Sequence, residues 1–302
     1  MFSNKTLRTS LPTACLSLLG VLTLAACGGE GGIASENTSS TESALSSGGS
    51  GGSGGGGAQA CLVGTHSIRL ASRVTALGGL ATNALSLDSG TVANGDANIN
   101  NTSTSQVRIS GATINGNLQI AGAAPSAANG ELVNGGKITG TVTPGSAQQS
   151  TLTSHAVTAG TVPVQINSNS PATSKIVPGN YGAVNINGSK LTFASGSFNL
   201  ASLAVSSGAQ IVFDTSAGPV DINVQGTINF NGGAASVLGS GLVTLYSNSS
   251  ASNAVSVSAG VGSLPASITA PNGGVAIGSR NTVLGCVGGK DVTVEPDSKI
   301  GK

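Results

Sequence analysis

Between residues 68 and 294 the chain repeats one small motif: an apolar residue, a polar or small one, then another apolar residue, in runs of three to five. Ile68-Arg69-Leu70, Leu85-Ser86-Leu87, Val107-Arg108-Ile109 and Leu118-Gln119-Ile120 carry it first. Val184-Asn185-Ile186, Leu191-Thr192-Phe193, Ile228-Asn229-Phe230, Val255-Ser256-Val257 and Val292-Thr293-Val294 carry it later. A period of two places alternate side chains on opposite sides of a strand, so each run predicts a short strand with one buried face. No stretch keeps the 3.6-residue period of a helix. Glycine corners separate the runs, with Asn-Gly at 94–95, 115–116, 129–130, 134–135, 187–188, 231–232 and 272–273. Asn-Gly accommodates positive φ and often marks a hairpin. Here the strands are very short, and similar units recur from 184 to 203, 203 to 220 and 220 to 243, which suits coils stacked on one another. The expected fold is all-β, a right-handed parallel β-helix, the hand following the general preference of crossovers. A sandwich of longer antiparallel strands is the competing arrangement.

The N-terminus has a different character. Lys5 and Arg8 precede an apolar stretch from Leu11 to Leu24, too short to span a bilayer comfortably and of the length of an export-signal core. Leu24-Ala25-Ala26-Cys27 resembles the lipobox of bacterial lipoproteins. The resemblance implies cleavage before Cys27 and attachment of diacylglycerol and palmitate-like chains to it, with Cys15 lost in the signal (1–26). Two or more chains hold a protein to a membrane where one does not. Gly28 stands where, in that family, an Asp favours inner-membrane retention, so the expected location is the outer membrane or surface of a bacterial cell envelope. Residues 28–57 contain 12 Gly and 8 Ser, the composition of a disordered, flexible linker. Its r.m.s. span, about 30 Å, would hold the body, residues 58–302, clear of the lipid.

Composition narrows the chemistry. Only 8% of residues are charged and 2% aromatic, Trp is absent and the formal net charge is +1. Globular chains average about 25% charged residues. Binding to nucleic acid requires a basic footprint that this balance does not supply. Pro144, Pro163 and Pro171 lie in Ser/Thr/Gln-rich sequence at 143–176, which reads as an irregular connection breaking the body between 142 and 177.

Pro178-Gly179-Asn180-Tyr181-Gly182, Leu191 to Phe198 and Gly218 to Ile222 resemble a β-helical domain of unknown function found in bacterial surface-anchored proteins, including those called choice-of-anchor A, and in pilus-associated proteins. That domain is distantly similar to the polymer-forming bactofilins. Ile268 to Val275, Leu284 to Lys290 and Asp291 to Val294 fit its closing pattern, so the resemblance runs over 178–302. It carries no catalytic residues.

An enzyme on a β-helix, a polysaccharide lyase or hydrolase, would need clustered carboxylates. The candidates are Asp88 with Asp96 and Asp214 with Asp221, each set among Ser, Gly and Thr where a solvated turn aspartate is ordinary. His66 and His155 are far apart in polar sequence, and no His or Cys spacing matches a metal site. No catalytic residue, cofactor or metal is therefore expected. Cys61 and Cys286 are the thiols that remain after Cys27. In an oxidising compartment they can pair within a chain, pair between chains, or stay free. A simple rod would hold them far apart, so pairing within the chain requires residues 58–75 to fold back along it. The functional expectation is a non-enzymatic, membrane-anchored structural or adhesive scaffold, with a polysaccharide or surface protein as partner and self-association possible through coil ends near Asp291 to Lys302. A carbohydrate-active enzyme and an ice-binding solenoid, which would need regular Thr rows, are the alternatives.

Overall fold

The computed structural model describes residues 60–100, 107–121, 133–145, 151–171 and 174–301, all within one unit of the chain. The signal, Cys27 and the linker lie outside the described residues. The body is all-β, a solenoid of stacked parallel strands, with no helix among the described residues.

One rung shows how the alternating pattern becomes a fold. In the strand Gly196–Val205, residues 196–200 pair with Val220–Val224 and residues 203–205 with Ile228–Phe230. The following strand, Gln210–Asp214, pairs with Ala234–Leu238. Each full rung therefore supplies three stretches, stacked into a first, second and third face. On the second face the inward positions align as Ile186, Val205, Phe230, Val257, Ile277, Val294, Leu70, Leu87 and Ile109. All are buried in one continuous core. Aliphatic columns fit because parallel stacking sets each side chain about 4.8 Å above its counterpart. Four phenylalanines, Phe193, Phe198, Phe213 and Phe230, are fully buried, and the Phe193 and Phe198 rings meet edge to face with centroids 5.0 Å apart.

The corner before the third face has its own rule. At nine rungs the residue two positions ahead of the third-face strand has φ between 60° and 85°. Six of these are glycines, Gly188 among them, which enter the left-handed region without steric cost. The other three are Arg73, Arg280 and Asp297. Of the six Asn-Gly pairs among the described residues, four place their glycine at positive φ, yet they turn corners of a parallel coil and close no hairpin.

The rungs do not follow chain order. Ala60–Leu70 pairs with Gly79–Leu87 on one side and with Val287–Val294 on the other. Thr75–Ala76 likewise lies between Val92–Ala93 and Lys299–Ile300. The chain thus enters in the middle of the rod and builds outward to Val142–Gly145 at one end. It then returns to the opposite end, where Val164–Ile166 and Lys175–Ile176 begin the second half. That half builds back until its last rung meets the first.

Residues 151–160 form the return strap on the outside of the first face. Leu152 packs over Ala60, Val63 and Ala81. The His155 ring stacks on Tyr246, and Gly160 N–H donates to the Tyr181 carbonyl. Six rung steps separate the Val63 and Tyr181 levels. At about 4.8 Å per step this is about 29 Å, and eight extended residues at about 3.4 Å each cover about 27 Å. The strap therefore runs extended along the face, with the Leu152 side chain spanning the last part of the distance.

Three expectations change. The irregular break is narrower than 143–176, because Val142–Gly145, Val164–Ile166 and Lys175–Ile176 are rung strands. The 203-to-220 spacing is not a coil repeat: Leu203 stacks on Ile228, and Val220 on Gly196 across a different face. The final coil is not an open edge, since Ala60–Leu70 and Thr75–Ala76 cover it.

Candidate functional site

Among the described residues, cross-links concentrate at the seam between the first rung and the last. Cys61 and Cys286 form a disulfide there, with Cα atoms 4.5 Å apart and a sequence separation of 225. Residues 60–70 do not fold back along the rod to reach Cys286. They are a rung themselves, and the second half of the chain is carried to them by the strap. At the next corner a register shift between Gly64 and Ser67 turns the strand, and there the His66 ring nitrogen Nδ1 and Ser67 Oγ both bond Asp291 Oδ1, at 2.6 and 2.5 Å. Burial alone would raise the Asp291 carboxyl, but the hydrogen bonds from Ser67 and His66 and the charges of His66 and Lys290 hold it below its ordinary range. At the third corner Arg73 donates to both carboxylate oxygens of Asp297, at 2.5 and 2.9 Å. Arg73, Asp297 and Arg280 are the three side chains in the left-handed corner column. Arg73, by hydrogen bond and charge, lowers the Asp297 carboxyl, and Arg280 adds to this. Each corner of the seam is thus joined by a covalent bond or a hydrogen-bonded carboxylate, with Arg69 reaching Glu295 at 4.0 Å in addition.

The carboxylates considered for catalysis are each taken up by neighbours. Asp88 lies 3.7 Å from both Arg69 and Arg108. Asp96 accepts from the backbone and side-chain nitrogens of Asn117. Asp214, at the end of a third-face strand, accepts from Lys175 Nζ at 2.8 Å and from Ser216 Oγ. The Lys175 bond first, then those from Ser216, lower its pKa to about 2. Asp221 sits in a first-face strand and accepts from Thr244 Oγ1 at 2.5 Å. His66 serves Asp291. His155 lies on the strap, where its backbone N–H donates to Tyr246 Oη and the same hydroxyl donates back to the His155 carbonyl. Among the described residues no group of three or more His, Cys, Asp or Glu is arranged to hold a metal ion.

The outer faces present rows rather than clefts. The central outward column of the first face reads Asn180, Asn199, Asn223, Tyr246, Thr269, Gly288, Val63, Ala81, Asn98, Gln119 and Thr143. Its small middle members form the bed of the strap, and Asn199 donates to Asn180 at 2.8 Å at its end. The outward column of the third face runs Lys137, Thr113, Val92, Thr75, Lys299, Thr282, Ser263. Threonines do align there, but Val92 and Lys299 interrupt them.

Sequence reading did not find the Arg73–Asp297 pair or the His155–Tyr246 stack. Both join residues brought together only by the mid-rod entry and the return strap. A local signal existed for the first alone: Arg73, Arg280 and Asp297 occupy the place where neighbouring corners have glycine.

Residues 145–263 match the model of a domain of unknown function (DUF7305). The match begins earlier and ends earlier than the resemblance seen at 178–302, and covers the strap together with the first rungs of the second half. No curated protein and no solved structure matches the chain.

Proposed function

We propose that the protein is a lipid-anchored component of the bacterial cell envelope, at the outer membrane or cell surface, and that its solenoid acts as a structural or adhesive scaffold without catalytic chemistry. The observation that carries this reading is the point of entry: residues 1–59, with Leu24 to Cys27 and the Gly/Ser linker, lead to Ala60 on an interior rung with a neighbour on each side. A tether attached there would hold the rod between its ends and leave both ends, the second face and the part of the first face beyond the strap free. Stretches of aligned polar side chains, such as Asn180, Asn199 and Asn223 on the first face, suit hydrogen bonding to a polysaccharide or a surface protein. The carboxylates expected of an enzyme are instead spent on intramolecular bonds.

The anchor is tested by palmitate labelling and by the mass of the mature N-terminus in the producing cell. Label and diacylglycerol mass are expected on Cys27 and absent in Cys27→Ser; an unmodified wild-type N-terminus would end the lipoprotein reading. The adhesive role is tested on a glycan array, where retention without turnover is expected. Turnover of a retained glycan would transfer the protein to the enzymes.

A further inference from the structure

The near-zero net charge conceals a segregation that appears only when the rungs are stacked. The third face and the left-handed corner leading into it carry six of the nine described basic residues: Lys137, Lys175, Lys190, Lys299, Arg73 and Arg280. They carry two of the seven described acids, Asp214 and Asp297. The rest of the described surface has three bases and five acids. Asp88 and Glu295, near the same corner, are turned to Arg69 and Arg108 of the second face. With Asp96 on the far corner counted in, the excess of positive charge on this side is still three. All six cations are exposed, and they are distributed from one end rung to the other.

The edge where the third face meets the first adds a second property. Of the six exposed large hydrophobic residues among those described, Val177, Leu238, Leu242 and Leu284 lie along it, Val177 62% and Leu238 59% exposed. Isolated exposed aliphatics are ordinary, but four along one edge beside a cationic face are a feature of an interaction surface. The chain outside the described residues joins the rod on this same edge, at Ala60.

We propose that the third face is a docking surface for an anionic lipid leaflet, and that the rod lies along it with its first and second faces turned outward. Three observations select this partner: charge complementarity to phosphate headgroups, aliphatic side chains able to enter the headgroup region, and a tether arriving at the margin of the same face. The cations span ten rung steps, about 48 Å, so they favour a rod lying flat over one standing on end. A linker with an r.m.s. span of about 30 Å lets the face reach the leaflet. The tether part of the argument rests on the lipoprotein reading; the face itself does not.

The test therefore uses the mature chain from residue 27 with Cys27→Ser, which carries no lipid, so that its result is independent of whether Cys27 is acylated. Co-sedimentation with vesicles of phosphatidylcholine alone is compared with vesicles containing 30% phosphatidylglycerol. Binding is expected only to the second and is expected to weaken steeply with salt. Lys137→Gln/Arg280→Gln/Lys299→Gln removes three cations of the face, each of which multiplies partition about fivefold, so binding should fall roughly a hundredfold. Arg69→Gln/Arg108→Gln/Lys290→Gln removes the same charge from the other faces and should leave binding within a few-fold of the parent. Circular dichroism confirms that both variants keep the fold. Equal losses in the two variants, or no partition into anionic vesicles, would overturn the assignment. So would binding to soluble heparin without vesicle binding, which would make the partner an anionic polymer.

Discussion

Replacing the disulfide by Cys61→Ser/Cys286→Ser tests the arrangement of the rod at its least expected point. The bridge closes a loop whose ends are separated by 225 positions in sequence. In the chain-entropy description a cross-link of this span removes from the unfolded ensemble a constant of about 0.6 kcal/mol and a logarithmic part of about 4.8 kcal/mol at 25 °C, about 5.4 kcal/mol together. The native seam keeps its two backbone ladders and its charged pairs in the variant, so the loss falls almost wholly on the unfolded side. With a denaturant dependence of about 4 kcal/mol per molar guanidinium, the unfolding midpoint should drop by about 1.3 M. The assay is guanidinium unfolding followed by far-ultraviolet circular dichroism, with non-reducing peptide mapping of the parent. A drop below about 0.3 M would mean that the two cysteines do not close a long loop. Recovery of the Cys61 and Cys286 peptides from a cross-linked dimer would refute the mid-rod entry itself.

Other expectations follow from the same geometry. Asp214, held at about pKa 2 by Lys175 and Ser216, contributes stability that is present above the unfolded value of about 3.9 and is lost as pH falls through about 2. Denaturant midpoints measured from pH 7 down to pH 2 should show a flatter acid limb in Asp214→Asn, while Asp291 and Asp297, also lowered, keep part of the slope. Gly116→Ala would put a methyl carbon 2.5 Å from the Gly95 carbonyl oxygen and 2.8 Å from Asp96. It should cost about 1–3 kcal/mol by urea unfolding, and an unchanged midpoint would mean that this corner is looser than described. A circular permutant that joins 301 to 60 and opens between 145 and 151 should keep the strand spectrum of the parent. In it the two cysteines become near neighbours in sequence, so their removal should cost only about 3 kcal/mol; an unfolded permutant would contradict the stacking order.

Strands and stacking were legible because the period of two is local. Val184-Asn185-Ile186 announces a strand without reference to anything else in the chain. The order of the rungs was not legible. Ala60–Leu70 has the same alternation whether it begins a rod or fills its middle, and only its pairing with Val287–Val294 tells the two apart. The cysteines illustrate the same limit. Their separation in sequence suggested separation in space, an inference that holds for a coil built in chain order and fails for one entered midway. The face charges were hidden for a related reason. Lys137 and Lys299 are 162 positions apart in the sequence, yet they share one column three strand pairs apart from Lys137 to Thr75 and one more to Lys299.

The position of the disulfide gains meaning from where the chain enters. In a solenoid built in chain order, the first strand is an edge strand with one neighbour, and a load on the preceding linker would peel it away one hydrogen bond at a time. Ala60–Leu70 has a neighbour on both sides, so the same load must break two ladders together. Cys61 is the second residue of that strand, so load arriving at Ala60 passes almost at once through the bridge into Cys286 and the last rung. The Arg73–Asp297 and His66–Asp291 pairs join the same two rungs farther along and keep them aligned. Covalent linkage at the entry and electrostatic linkage behind it is the order in which attachments must be ranked when a strand is pulled from its N-terminal end. Under the anchoring proposed above, the mid-rod start and the long-range disulfide would act together, both passing a pull on the segment before Ala60 into the two halves of the rod at once.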